Sequence, residues 1–87
     1  MAIEYEISAK QKTDYVKKLN EYYSSPNIAV VLYICGNAVI EKLIHNADIE
    51  FGAKPRLKVF TCLEQTLLDS QSSFLFINRK NAIFKLE

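Results

Sequence analysis

Ile3, Tyr5 and Ile7 alternate with Glu4, Glu6 and Ser8, a period of two that predicts a half-buried strand at the head of the chain. The period then changes. Tyr15, Val16, Leu19, Tyr22 and Tyr23 recur at helical spacing, with Lys17, Lys18, Asn20 and Glu21 on the other face. A helix is therefore predicted over about 9–24, with Ser8 and Gln11 spaced as a capping box and Ser24-Ser25-Pro26-Asn27 as its stop. Residues 28–35 are apolar on both faces and rich in β-branched side chains, as a central strand covered on more than one side requires.

Gly36-Asn37 admits two readings. Between two apolar runs it fits a two-residue hairpin. Val39, Ile40, Leu43, Ile44 and Ala47 instead form a helical stripe, which favours a helix over 37–51 ended by Gly52, with Pro55 just beyond. Further on, Leu57, Val59, Thr61 and Leu63 alternate with Lys58, Phe60, Cys62 and Glu64 as a strand would; a helix over 55–69 is the rival. Residues 69–72 read as a turn and 74–77 as a strand core. Residues 82–86 either prolong that strand or add a short one after Arg79-Lys80-Asn81. The predicted order is β-α-β-α-β-β in one α/β (α+β sandwich) domain spanning 1–87.

Composition narrows the function classes. The 87 residues are 49% hydrophobic and 24% charged, which suits one small globular domain. A formal net charge of +1 does not by itself announce a polyanion partner, so placement of the cations must carry that claim. Cys35 and Cys62 stand far apart with no Cys-x-x-Cys, and two buried, reduced thiols are expected. The head of the chain lacks the features of a signal peptide, and the longest apolar run is too short to cross a bilayer. An intracellular protein, of cytoplasm or of nucleus or nucleoid, without a membrane partner is expected. His45 has no Ser or Cys partner at a motif spacing, and there is no nucleophile elbow, P-loop or metal-ligand cluster. Neither catalysis nor a cofactor is expected. Tyr15, Tyr22 and Tyr33 fall on apolar faces and are expected in the core rather than stacked on bases.

Three local patterns resemble the Alba family of nucleic-acid-binding proteins. They are the strand-to-helix passage from Ile7-Ser8-Ala9-Lys10 to Tyr15-Val16, the Ile34-Cys35-Gly36-Asn37-Ala38-Val39-Ile40 turn, and the closing Phe74-Leu75-Phe76-Ile77-Asn78-Arg79-Lys80. The resemblance implies a four-stranded mixed sheet with two helices on one face, usually dimeric, that binds DNA or RNA without catalysis. By position it assigns contacts to Lys10, with Lys12 as near neighbour, and to Asn37 at the start of the second helix. Lys42 and Arg79 are further candidates for phosphate contacts. The chain departs from the family at Cys35, at the uncharged Asn37, and in the hairpin segment 64–72, which contains no Lys or Arg.

The expectation is thus sequence-tolerant binding of DNA or RNA by a homodimer, or by a heterodimer with a related subunit. Charge neutrality and the Leu67-Leu68 pair support an alternative, a protein-interaction module, small inhibitor or subunit of a larger complex. The hairpin reading of Gly36-Asn37 would give β-α-β-β-α-β, a ferredoxin-like plan, or a roadblock-like one without the first strand. Lys54, Arg56 and Lys58 with Arg79, Lys80 and Lys85 form either a positive surface or a guarded sheet edge.

Overall fold

A computed structural model describes residues 1–54, 56–69 and 74–86. The chain runs β1 (Ala2–Glu6), α1 (Lys12–Tyr23), β2 (Val31–Cys35) and α2 (Ala38–Asp48), which continues as a 3-10 turn over Ile49–Phe51. It then forms β3 (Val59–Leu63), α3 (Glu64–Asp69), β4 (Phe74–Ile77) and β5 (Ile83–Leu86). The strands lie in the order β1-β2-β3-β4-β5. β1, β2 and β3 are mutually parallel, whereas β4 and β5 are antiparallel to their neighbours. The α/β class and the second helix are as the sequence predicts, and the hairpin reading of Gly36-Asn37 is overturned. So is the long helix over 55–69.

Two predicted features differ. The sheet has five strands rather than four, because Ile83–Leu86 turns back on β4 as a separate strand. Asn78 makes that turn: its Oδ1 accepts from the N–H groups of Lys80 and Ala82, both at 2.9 Å, and Asn81 takes φ 65°. The hairpin segment 64–72 also changes character. Glu64–Asp69 is a short helix whose Leu67 packs on the sheet, and the predicted turn beyond Asp69 lies outside the described residues, as does Pro55.

Local chemistry explains the element ends. α1 begins at Lys12, later than predicted, because Ser8 supplies no cap and the N-cap residue is Gln11, whose side chain makes no capping bond. Its other end is closed from a distance. Lys58 Nζ donates to the carbonyls of Tyr22 and Ser25 at 3.0 and 2.9 Å, so this cation satisfies the helix terminus instead of facing a ligand. At the start of α2, Asn37 Oδ1 accepts from the Ile40 N–H at 3.0 Å, an ordinary N-cap. Gly36 is needed for close approach: its N–H donates to Glu6 O at 2.8 Å, and a Cβ would stand 3.2 Å from Ile7 Cα. Gly52 closes the 3-10 turn after the second helix with a helical φ of −61°.

The sheet has two unlike faces. α1 and α2 cover one, where Tyr15, Leu19, Ile40 and Ile44 pack on Val31, Tyr33, Cys35 and Val59. The buried α1 residues Tyr15, Leu19 and Tyr23 stand four apart, so one stripe meets the sheet. The opposite face carries Leu32, Cys62 and Phe76, ringed by partly buried Ile34, Phe60, Phe74, Phe84 and Leu86. Both thiols are free and buried, as predicted.

Candidate functional site

Glu4 and Glu6 stand two apart on β1, hence on the same side of the sheet. Their register with Tyr33 and Cys35 makes this the helix-covered side. Glu6 is buried, and its Oε1 receives an ion pair from Lys10 Nζ at 2.9 Å. That hydrogen bond, and then the carboxylate charge, raises the Lys10 pKa. The Lys10 backbone N–H donates to the Tyr15 hydroxyl at 3.2 Å, which ties the connecting loop to α1.

Around this pair lies a pocket of about 240 Å³. Glu4, Glu6 and Tyr33 reach it from the strands, Lys10 from the loop, and Asp14, Tyr15 and Lys18 from α1. Burial, followed by the charge of Glu4, raises the Tyr33 pKa. Burial also raises Tyr22, to about 12, reinforced by its hydrogen bond to Glu4. Carboxylates, ammonium groups and neutral phenols thus converge at the first strand-to-helix connection, on the side where α/β proteins place ligands.

The candidates read from the sequence do not form one surface. Lys10 lies in the carboxylate pocket, whereas Lys12 lines a separate groove of about 570 Å³ with Lys17, Asn20, Glu50 and Phe51. Asn37 sits next to the β1 end through Gly36, but its side-chain oxygen is engaged in capping. Lys42 is exposed on α2. Arg79 is elsewhere: β4 runs antiparallel to β3, so it carries Arg79 toward the opposite end of the sheet. There its Nε lies 3.4 Å from Asp48 Oδ2, in a pair whose carboxylate is fully buried. The Tyr23 hydroxyl donates to Asp48 Oδ1 at 2.5 Å and accepts from the Lys58 N–H at 3.3 Å. Burial raises the Asp48 pKa although Tyr23, Arg79 and His45 all act to lower it.

A second polar cluster joins α2 to β3. Thr61 Oγ1 donates to Glu41 Oε2 at 2.7 Å and lies 2.8 Å from His45 Nε2. With its one proton given to Glu41, the hydroxyl can only accept from His45. Burial lowers the His45 pKa, so the neutral ring is favoured. This answers the question of a partner for His45: Glu41 one turn earlier was legible as an i, i+4 pair, but Thr61 comes from a strand sixteen residues away. Glu41 and Thr61 also border an apolar depression of about 300 Å³ with Cys62, Leu63 and Leu75. These bonds, with one between His45 and the Ile77 backbone, suit a part-buried link between helix and sheet.

Comparison with protein-family models, with curated proteins and with solved structures finds no match. No described helix is long and apolar enough to cross a membrane. Among the described residues no group of three or more His, Cys, Asp and Glu is arranged to hold a metal ion on its own. The carboxylate pocket therefore stands on its chemistry alone. Glu4 and Glu6 were read from the sequence only as the polar half of an alternating strand; the missed signal was two carboxylates on one strand face followed at once by Lys10.

Proposed function

We propose that the chain binds the phosphate backbone of a nucleic acid at the β1–α1 pocket. Lys10 and Lys18 would meet phosphate oxygens, and a divalent cation would lie between the phosphate and Glu4 and Glu6. The observation that carries this reading is the convergence of three carboxylates (Glu4, Glu6 and Asp14) and two lysines on one pocket. Magnesium is typically held by one or two protein carboxylates together with substrate phosphates and water, so a pair suffices where a full cage is absent. A cation-bridged contact also reconciles a polyanion ligand with a net charge of only +1. Lys12 and Lys17 along the neighbouring groove would extend the track of positive charge.

The test is fluorescence anisotropy with labelled single- and double-stranded DNA and RNA at low salt, in Mg²⁺ and in EDTA. Binding is expected in Mg²⁺, with a steep fall as salt rises, and weakening in EDTA and on Lys10→Ala. No binding to any of the probes in Mg²⁺ at low salt overturns the proposal. A second reading, cleavage of the bound strand, is favoured by the closeness of Lys10 to the same two carboxylates, since metal-assisted phosphodiester hydrolysis uses such groups. Strand scission in Mg²⁺ or Mn²⁺ that disappears in Glu6→Gln would replace simple binding with hydrolysis.

A further inference from the structure

β1 and β5 are the two edges of the sheet, and both are unlike an edge at rest. Parallel strands are normally covered on both faces, yet Ile3 and Tyr5 of β1 are each 56% exposed on the face away from the helices. β1 has no Lys and no Pro and keeps a regular register over all five residues, so its guards against edge pairing are the two charges of Glu4 and Glu6. On β5, Phe84 and Leu86 belong to that same open face, and Ile83 is 64% exposed on the helix side.

The charges differ between the two edges. The helix side of β1 presents Glu4 and Glu6, and the helix side of β5 presents Lys85. β1 against β1 of a second copy would set carboxylates beside carboxylates, and β5 against β5 would set lysine beside lysine; like charges directly opposite are destabilising. β5 against β1 matches both faces at once. Phe84 and Leu86 then continue the apolar face beside Ile3 and Tyr5, while Lys85 joins Glu4 and Glu6 on the other. β5 runs in the same direction as β1, because it is antiparallel to β4 and β4 is antiparallel to β3. Two copies in the same orientation thus give a parallel β5–β1 pair with the helices of both on one side.

We propose that the chain self-associates head to tail, β5 of one copy pairing with β1 of the next to extend the sheet. Such a contact is heterologous: each copy keeps one edge open, so growth continues past the dimer unless the twist closes a ring. Strands of four and five residues bury too little for a permanent complex, so assembly depends on concentration.

Sedimentation velocity on the full chain over a wide concentration range tests this, with far-UV circular dichroism as the check on folding. The expected result is a weight-average mass that climbs past twice 10.0 kDa as concentration rises. Glu4→Lys and Lys85→Glu should each weaken association about five- to tenfold. An equimolar mixture of the two should restore it, because each β5–β1 contact between unlike variants joins opposite charges and the copies can alternate. A chain that stays monomeric throughout overturns the proposal. So does a dimer that grows no further and that Lys85→Glu leaves intact, since that contact would not use the charge of β5.

Discussion

The two faces of the sheet are built from the same kinds of residue but are finished differently. On the helix side, two amphipathic helices close over Val31, Tyr33, Cys35 and Val59, leaving each at most 1% exposed. On the other side, among the described residues, Leu67 of a six-residue helix packs on the sheet, and Leu32, Cys62 and Phe76 are buried. Coverage, rather than hydrophobicity, separates them. The closed face can therefore hold groups that water would otherwise screen, including Asp48, Thr61 and His45. Among the described residues the open face holds no buried charge.

The contrast is broken most severely at Asp48. Asp48→Ala leaves the Arg79 guanidinium inside without its carboxylate, and should cost about 3–5 kcal/mol in urea or thermal unfolding. A loss under about 1 kcal/mol would mean that water reaches this pair and that the closed face is not closed. Next come matched truncations. Ile44→Ala, at a fully buried position, should cost about 2–5 kcal/mol, whereas Ile34→Ala on the half-open face should cost clearly less. Equal losses would show that the second face is covered in solution, which edge-to-edge pairing of β5 with β1 would not do, since Ile34 lies on the inner strand β2. Tyr23→Phe removes a hydroxyl that serves both Asp48 and the Lys58 N–H, and should cost about 1–3 kcal/mol.

The acid side gives a smaller effect with a definite sign. The folded pKa of His45 lies below its ordinary 6.5, so the fold favours the neutral ring. Its contribution is present above pH 6.5 and is lost as pH falls from there through the lowered value. Asp48 acts in the opposite sense, because its raised pKa favours the protonated acid and its contribution shrinks as pH rises. His45→Gln should therefore flatten the loss of stability below pH 6.5; an unchanged slope would place His45 in water. The smallest test concerns the thiols. Burial pushes Cys35 up to about 12 and Cys62 up to about 11, so neither should react with a disulfide reagent at pH 8 until the protein unfolds. Prompt reaction of Cys62 alone would show that the open face breathes.

Much of the closed face was legible one element at a time. The stripe of Tyr15, Leu19 and Tyr23 predicts its helix because burial repeats with the helical turn, and Ile40, Ile44 and Ala47 do the same for α2. Lys10 was singled out, but the carboxylates around it were not, since an alternating strand assigns Glu4 and Glu6 to solvent until a helix is laid over them. Arg79 was grouped with Lys10 because both are cations; β4 pairs antiparallel with β3 and carries it to Asp48 instead. Lys58 was counted toward a positive strand edge and in fact closes the end of α1.

What the sequence by itself determined is local: which residues repeat with a period of two or of 3.6, and where Gly36-Asn37 opens a helix. Periodicity and capping involve neighbours along the chain, and so can be read along it. Only the tertiary structure decided which charges meet. Glu6 with Lys10 could be proposed from spacing, but Asp48 with Arg79 and Thr61 with His45 depend on strand order and register. Those depend in turn on how apolar area across the whole chain is best covered, and on the two edges it leaves unpaired. That sum is global, so no single segment carries it.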